Sequence, residues 1–412
     1  MNETTLLVQD LAAAVSPAGT GPSRGRDMGG LAVHAPASVA VSGDRILAVG
    51  RPEDVLREHP PGPDCVTIDG RNRVALPGLV DCHTHACFLG YRAREFELRS
   101  AGASYEEIHA EGGGILSTVA ATRAGTQADL EAALTRHLDR MLGHGTTTAE
   151  VKSGYGLDRD TELAMLRAVC AVDGRHPVDL YPTFLGAHTV PPEFEDAAGY
   201  VEFVVEEVLP GAVPLAEAAD VFLERGSFEA AEAGRYLRAC KEQGLALRLH
   251  ADQFSERGAI PLALQLGARS VDHLEHTGEE GVRLLGKGDT AAVLLPACAL
   301  FLGLPNPPAR RLVEEGAIVV LATDLNPGSS YCSSLPIVMN LACTRLGLSP
   351  AQSLVAATAN AAHVLGLDGE VGRISAGYRA DLLVLDDPDW RHLAYHLGGD
   401  HFAARIKSGR LL

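Results

Sequence analysis

The chain has 412 residues, of which 46% are hydrophobic, and its 35 Lys and Arg stand against 53 Asp and Glu for a formal charge of −18. That balance suits a soluble globular protein and argues against one that grips phosphate backbones, since a polyanion would repel it. Anionic small substrates stay open, because net charge says little about a local site.

Eight scattered cysteines without a Cys-x-x-Cys read as reduced, mostly buried thiols. Met1–Ala14 lacks a basic leader region and no uninterrupted apolar run of about 18 residues occurs, so the cytoplasm is the expected address. Residues 1–74 are rich in short β segments, Thr5–Val8, Ser38–Val41, Arg45–Val49 and Val66–Ile68, with a hairpin predicted at Ser42-Gly43-Asp44. The Gly/Pro/Ser stretch Pro17–Gly30 predicts a mobile surface loop.

Apolar runs then alternate with helical periodicity. The expected strands are Val74–Val80, Thr146–Val151, Asp179–Leu185, Asp220–Leu223, Ala246–Leu249, Ser270–Asp272, Ala291–Leu295 and Ile318–Ala322. Between them, Leu130, Leu134, Leu138, Met141 and Leu142 share one helical face, as do Leu163, Leu166 and Val169. Eight βα units predict a closed (β/α)8 barrel, and no Gly-x-Gly-x-x-Gly follows the first strand to favour an open doubly wound sheet. The β signature returns in Asp381–Leu385 and Ala403–Leu412. The expected fold class is therefore α/β: a TIM-like barrel over residues 75–370, with a small β-sandwich domain built from residues 1–74 plus 371–412.

Barrel chemistry belongs at the C-terminal ends of strands. His83 and His85 follow the first strand, and their i, i+2 spacing in extended chain points both imidazoles to one side. His250 ends the fifth strand, His273 the sixth and Asp324 the eighth. His83, His85, His250 and Asp324 can hold one divalent ion, with water completing its shell. A lone His-x-His has a bland explanation in two surface or core histidines; coincidence at four strand ends gives the set its weight. Three imidazoles and one carboxylate leave zinc or iron with residual positive charge, which lowers the pKa of bound water towards about 7. His188 ends the third strand and can donate to a substrate oxygen, a satisfied structural histidine being the alternative. His276 reads as structural, orienting a ligand from behind.

These strand ends, flanked by β segments from both termini, resemble the amidohydrolase superfamily of metal-dependent hydrolases. Leu76-Pro77-Gly78-Leu79-Val80-Asp81 and Gly377-Tyr378-Arg379-Ala380-Asp381-Leu382 are similar to its usual borders. Further blocks narrow the likeness: Ala101–Ile108, Gly112–Val119, Lys152–Leu157, Phe184–His188, His250–Gln253 and Thr323–Ser329. They resemble the branch that hydrolyses the cyclic amide C–N bond of 4-imidazolone-5-propanoate to N-formimidoyl-L-glutamate in histidine degradation. The resemblance implies metal ligands at His83, His85, His250 and Asp324, and substrate contacts at Arg92, Tyr155, His188, Gln253, Asn326, Gly328 and Ser329, with Tyr105 a further candidate. It also implies one zinc or iron ion per subunit, a cytoplasmic enzyme and a homodimer. Some members carry Glu where this chain has Gln253, whose neutral amide can hydrogen-bond the ring but not shuttle a proton.

The implied catalytic residues are Asp324, His273 and His188. A metal-bound hydroxide would attack the lactam carbonyl, with Asp324 or His273 taking the proton and returning it to the departing nitrogen; both assignments stay open. Arg92 would clamp the propanoate with its planar fork, Tyr155 would donate its hydroxyl, and Asn326 and Ser329 lie in a tight Pro/Gly turn. Two other readings remain at this point: a deaminase of N-heterocycles, and a non-catalytic metal- or ligand-binding protein on the same scaffold. A binuclear site with a carboxylated lysine is disfavoured, because Glu224 and Arg225 occupy the fourth strand end.

Overall fold

Eight parallel strands, paired in chain order, curl around the centre of the computed structural model, which describes residues 3–102 and 113–412. The barrel strands are β1 (Leu79–Asp81), β2 (Thr146–Lys152), β3 (Asp179–Ala187), β4 (Ala218–Leu223), β5 (Ala246–Ala251), β6 (Ser270–His273), β7 (Ala291–Leu294) and β8 (Val319–Leu321). The seam between β8 and β1 is closed just beyond the strands. The Asp324 N–H donates to the His83 carbonyl and the His85 N–H to the Leu325 carbonyl, both at 3.0 Å. The Asp81 carboxylate accepts from the Thr323 N–H at 3.1 Å and from its hydroxyl at 2.6 Å.

Helix α1 (Gln127–Gly143) opens on a capping box between Thr126 and Asp129 and buries Leu130, Leu134, Leu138 and Met141, leaving Leu142 half-buried. Helix α2 (Arg159–Val172) is capped by the Asp158 carboxylate and buries Leu163, Leu166 and Val169. Both faces follow the 3.6-residue period.

Two further sheets draw on both ends of the chain. One orders Arg45–Gly50, Ala37–Ser42, Thr4–Leu11 and Pro61–Asp69; the other orders Arg410–Leu411, Phe402–Lys407, Leu382–Leu385, Val74–Pro77, Ala13–Pro17 and Leu31–His34. Leu6, Val8, Val39 and Ile46 of the first share a buried apolar core with Leu382, Val384 and Ile406 of the second. Among the described residues no helix is long and apolar enough to cross a membrane.

The structure corrects several expectations. Val74–Val80 is two strands: Val74–Pro77 pairs with Leu382–Leu385, while Leu79–Asp81 begins the barrel. The break falls at Gly78, whose N–H donates to the Asp381 carbonyl at 2.8 Å and where a Cβ would overlap the Thr147 side chain. Pro17–Gly30 is no free loop. Met28 within it is fully buried, and the Asn360 carboxamide both accepts from the Ser23 N–H and donates to the Ser23 carbonyl, each at 2.8 Å. Four cysteines, Cys82, Cys87, Cys240 and Cys298, are buried, but Cys170 is exposed and Cys65, Cys332 and Cys343 are intermediate.

Candidate metal centre and substrate cavity

The ends of β1, β5, β6 and β8 bring His83, His85, His250, His273 and Asp324 into one cluster, none more than 3% exposed. His83 Nε2 and His85 Nε2 each lie 3.5 Å from Asp324 Oδ1, and His250 Nε2 lies 3.3 Å from His85 Nε2. A tetrahedral ion with bonds of about 2.1 Å needs donor atoms about 3.4 Å apart. These three separations match that requirement, with His83, His85 and Asp324 forming one compact group and His83, His250 and His273 another. His83 Nε2 is moreover buried without a hydrogen-bond partner, which costs about 1–3 kcal/mol unless a cation satisfies it. The donor set therefore fits one divalent ion.

Carboxylates stand behind the rings. Asp272 Oδ2 lies 2.5 Å from His83 Nδ1, so that ring's hydrogen points outward and its Nε2 lone pair inward, and Asp220 Oδ2 lies within ion-pair distance of His250 Nδ1, at 3.0 Å. Burial, reinforced by Lys152 for His83 and by His188 for His85, holds both imidazoles well below their ordinary pKa. They are neutral, as ligands must be. At His273 burial opposes charge, but Glu275, 3.6 Å from Nδ1, together with Asp324 and Asp272 outweighs it and raises the pKa. Burial raises the Asp324 carboxyl, partly offset by His273 and His250. His273, Leu274 and Asp324 have φ of 87°, 72° and 53°, left-handed conformations that cost non-glycine residues about 1–3 kcal/mol each and gather at this centre.

A cavity of about 140 Å³ lies over the cluster; Arg92, Tyr155, His188, Gln253, Asn326 and Ser329 all line it. It adjoins a vestibule of about 680 Å³ that Gly328 lines. Tyr105 lies outside the described residues.

Arg92 is not a free fork. Its Nε and Nη2 donate to Glu95 Oε2 at 2.9 and 2.7 Å, leaving Nη1 and the second Nη2 hydrogen for a ligand. Glu95 Oε1 in turn accepts from the Gly114 N–H at 3.0 Å and the Ser117 hydroxyl at 3.2 Å. Gly328 contributes space: a Cβ there would overlap Arg92 Nη1. Tyr155 is buried on a loop whose Gly156 and Leu157 N–H groups donate to Glu162 Oε1 at 2.8 and 3.0 Å.

His188 reverses the role expected of it. Its Nδ1 faces the Gly154 carbonyl at 2.9 Å and must carry the proton, and burial, then His250, pushes its pKa down to about 3. The neutral ring presents Nε2 as an acceptor, not a donor. The Asn326 carboxamide builds its own turn, accepting from the Gly328 and Ser329 N–H groups at 2.8 and 2.7 Å and donating to the Asp324 carbonyl at 2.7 Å. His276 Nδ1 donates to the Gln253 carbonyl at 2.8 Å, so it holds the Gln253 segment and not a metal ligand. Sequence reasoning missed Glu95, Glu162, Asp220 and Asp272. The available signal was acidic residues at inward positions of otherwise apolar strands and in the first turns of helices that follow loops.

The Amidohydrolase family profile matches residues 74–409. The chain is 75% identical to the imidazolonepropionase of Rubrobacter xylanophilus over 412 residues, covering 100% of this chain and 99% of that one. It is 45% identical to the imidazolonepropionase of Symbiobacterium thermophilum over 417 residues, covering 100% and 98%. Among solved structures it is similar to an adenosine deaminase from Xanthomonas campestris with bound zinc, at TM-score 0.70 and 18% identity, covering 100% and 93%. It is also similar to E. coli guanine deaminase, at TM-score 0.70 and 16% identity, covering 98% of each. At such identities the likeness to the deaminases is one of fold alone.

Proposed function

The chain belongs to the amidohydrolase family, among the imidazolonepropionases, and we propose that it performs that hydrolysis with one divalent ion, zinc or iron, held by His83, His85, His250 and Asp324. The reaction opens the cyclic amide C–N bond of 4-imidazolone-5-propanoate to give N-formimidoyl-L-glutamate. The observations that support the site assignment are the 3.5 Å from Asp324 Oδ1 to His83 Nε2 and to His85 Nε2 and the 3.3 Å from His85 Nε2 to His250 Nε2.

When bound, the ion supplies a Lewis acid for the ring carbonyl and a water whose pKa is brought down to about 7. The buried Asp324 carboxylate takes the proton of the attacking water and returns it to the departing ring nitrogen. His273, beside Asp324 and backed by Glu275, donates to the carbonyl oxygen as negative charge develops there. His188 Nε2 accepts from a ring N–H, and Gln253 offers its amide to the ring edge. Arg92 meets the propanoate with the three N–H groups, on Nη1 and Nη2, that Glu95 leaves free. Tyr155, Asn326, Gly328 and Ser329 shape the pocket around it.

The same reading divides the chain into a barrel, 75–370, and a companion domain, 1–74 plus 371–412, supported by the core the two outer sheets share, although the pairing of Val74–Pro77 with Leu382–Leu385 assigns that whole strand to the companion domain. The family resemblance supports a cytoplasmic homodimer. The decisive experiment is metal analysis of the purified protein alongside product identification. One zinc or iron per chain and formation of N-formimidoyl-L-glutamate, lost on chelation and regained with either ion, is the expected result. Turnover undiminished by complete metal removal would overturn the assignment.

A further inference from the structure

Beneath the imidazoles lies a layer of charge that touches no substrate. Lys152, the last residue of β2, is 0% exposed, and its Nζ lies 2.7 Å from Glu150 Oε1 and 2.8 Å from Asp220 Oδ2. Glu150 and Lys152 are two residues apart in one strand and so point to the same, inner side of the barrel. Each carboxylate reaches on to a different part of the metal centre. Asp220 Oδ2 is the atom that lies 3.0 Å from His250 Nδ1. Glu150 Oε2 accepts from the Thr84 N–H at 3.0 Å, and the Glu150 carbonyl accepts from the Thr84 hydroxyl at 2.6 Å. Thr84 is the spacer between His83 and His85.

We propose that Lys152 is a positioning residue of the metal centre, fixing His250 through Asp220 and the His83–His85 pair through Glu150 and Thr84. The inference rests on the metal reading above. One ammonium, in a fixed pocket, donates to Glu150 and pairs in charge with Asp220, and these two carboxylates in turn bond Thr84 and lie against the His250 ring. The nearest other cation, Arg248, has its Nη1 3.8 Å from Glu150 Oε1 and donates it to the Cys82 carbonyl at 2.8 Å, so it cannot replace the bond to Asp220. A side chain in this place for stability alone would leave metal affinity untouched once the fold survived its removal. A positioning residue would not.

The test uses Lys152→Met, which keeps the length and loses the charge, and reads metal binding as well as turnover. Zinc affinity, by competition with a chromophoric chelator, is expected to fall about 10–100-fold, the range seen when a partner of a metal ligand is removed. The visible spectrum of the cobalt-substituted protein is expected to change, because the ligand field at His250 is no longer fixed. A folded K152M protein with native zinc affinity and a native cobalt spectrum would overturn the proposal. Should K152M not fold, the double variant E150Q/K152M removes one buried charge of each sign. It leaves Asp220 unpinned, so weakened zinc binding is again expected, and native affinity in it would equally overturn the proposal. Native protein that binds no divalent ion at all would instead sink the metal reading itself, which keeps the two failures apart.

Discussion

At the floor of the cavity the functional side chains sit at the ends of strands, and buried carboxylates from other strands aim their rings: Asp272 for His83 and Asp220 for His250. At the rim Arg92 and Tyr155 stand on loops, held by carboxylates from helices that also gather loop N–H groups: Glu95 takes the Gly114 N–H, and Glu162 those of Gly156 and Leu157. The floor fixes atoms to within a metal bond's tolerance by pairing rings with acids across a rigid sheet. The rim fixes the loops' paths, with only the Arg92 guanidinium itself tied to an acid, Glu95. The floor should accordingly govern whether chemistry occurs at all, and the rim how well substrate is held.

Four substitutions test that division. His250→Ala, at the floor, should abolish bound metal and turnover together; stoichiometric metal in a folded variant, measured by elemental analysis, would break the floor reading. Asp324→Asn should lower kcat by about 10²–10⁴-fold, the usual worth of a positioned acid–base group, even in samples that retain metal. Near-normal turnover there would transfer the proton shuttle to His273. At the rim, Arg92→Lys should raise KM about 10-fold or more with kcat little changed, since a point charge loses the planar pair of donors. A KM equal to that of the native protein would retire Arg92 as the carboxylate clamp. The smallest effect belongs to Gly328→Ala, whose methyl must displace the guanidinium. A loss of about 1 kcal/mol would raise KM roughly fivefold. Because that substitution acts only through Arg92, the double variant R92K/G328A should be no worse than R92K. Additive effects would give Gly328 a contact of its own.

The two regions were also unequally legible. Strand ends can be found from period and spacing, and the His83–His85 pair, His250, His273 and Asp324 all lie in the cluster where the barrel argument expects them. The acids behind them could not be found that way. Asp272 stands out only as an acid on an otherwise apolar strand, and the imidazole it holds is 189 residues away, so nothing local names its partner. The tautomer of His188 depends on the Gly154 carbonyl, 34 residues earlier, so its acceptor role is a property of tertiary structure alone. The free fork imagined for Arg92 ignored Glu95 three residues on, although i, i+3 neighbours on a helix commonly meet. Composition misread Pro17–Gly30 because one buried methionine and one asparagine bridge outweigh a run of turn formers.

The seam between β8 and β1 has a consequence for how the protein comes into being. The hydrogen bonds that close the barrel run between the backbones of His83 and Asp324 and of His85 and Leu325, so the last staves are joined at the ligands themselves. During synthesis no functional centre can exist until residue 324 has emerged, about four-fifths of the way along the 412-residue chain. An ion that binds only the closed form then acts as a clasp, drawing the two ends of the barrel together by mass action. Maturation of such a centre and closure of the barrel would be a single event.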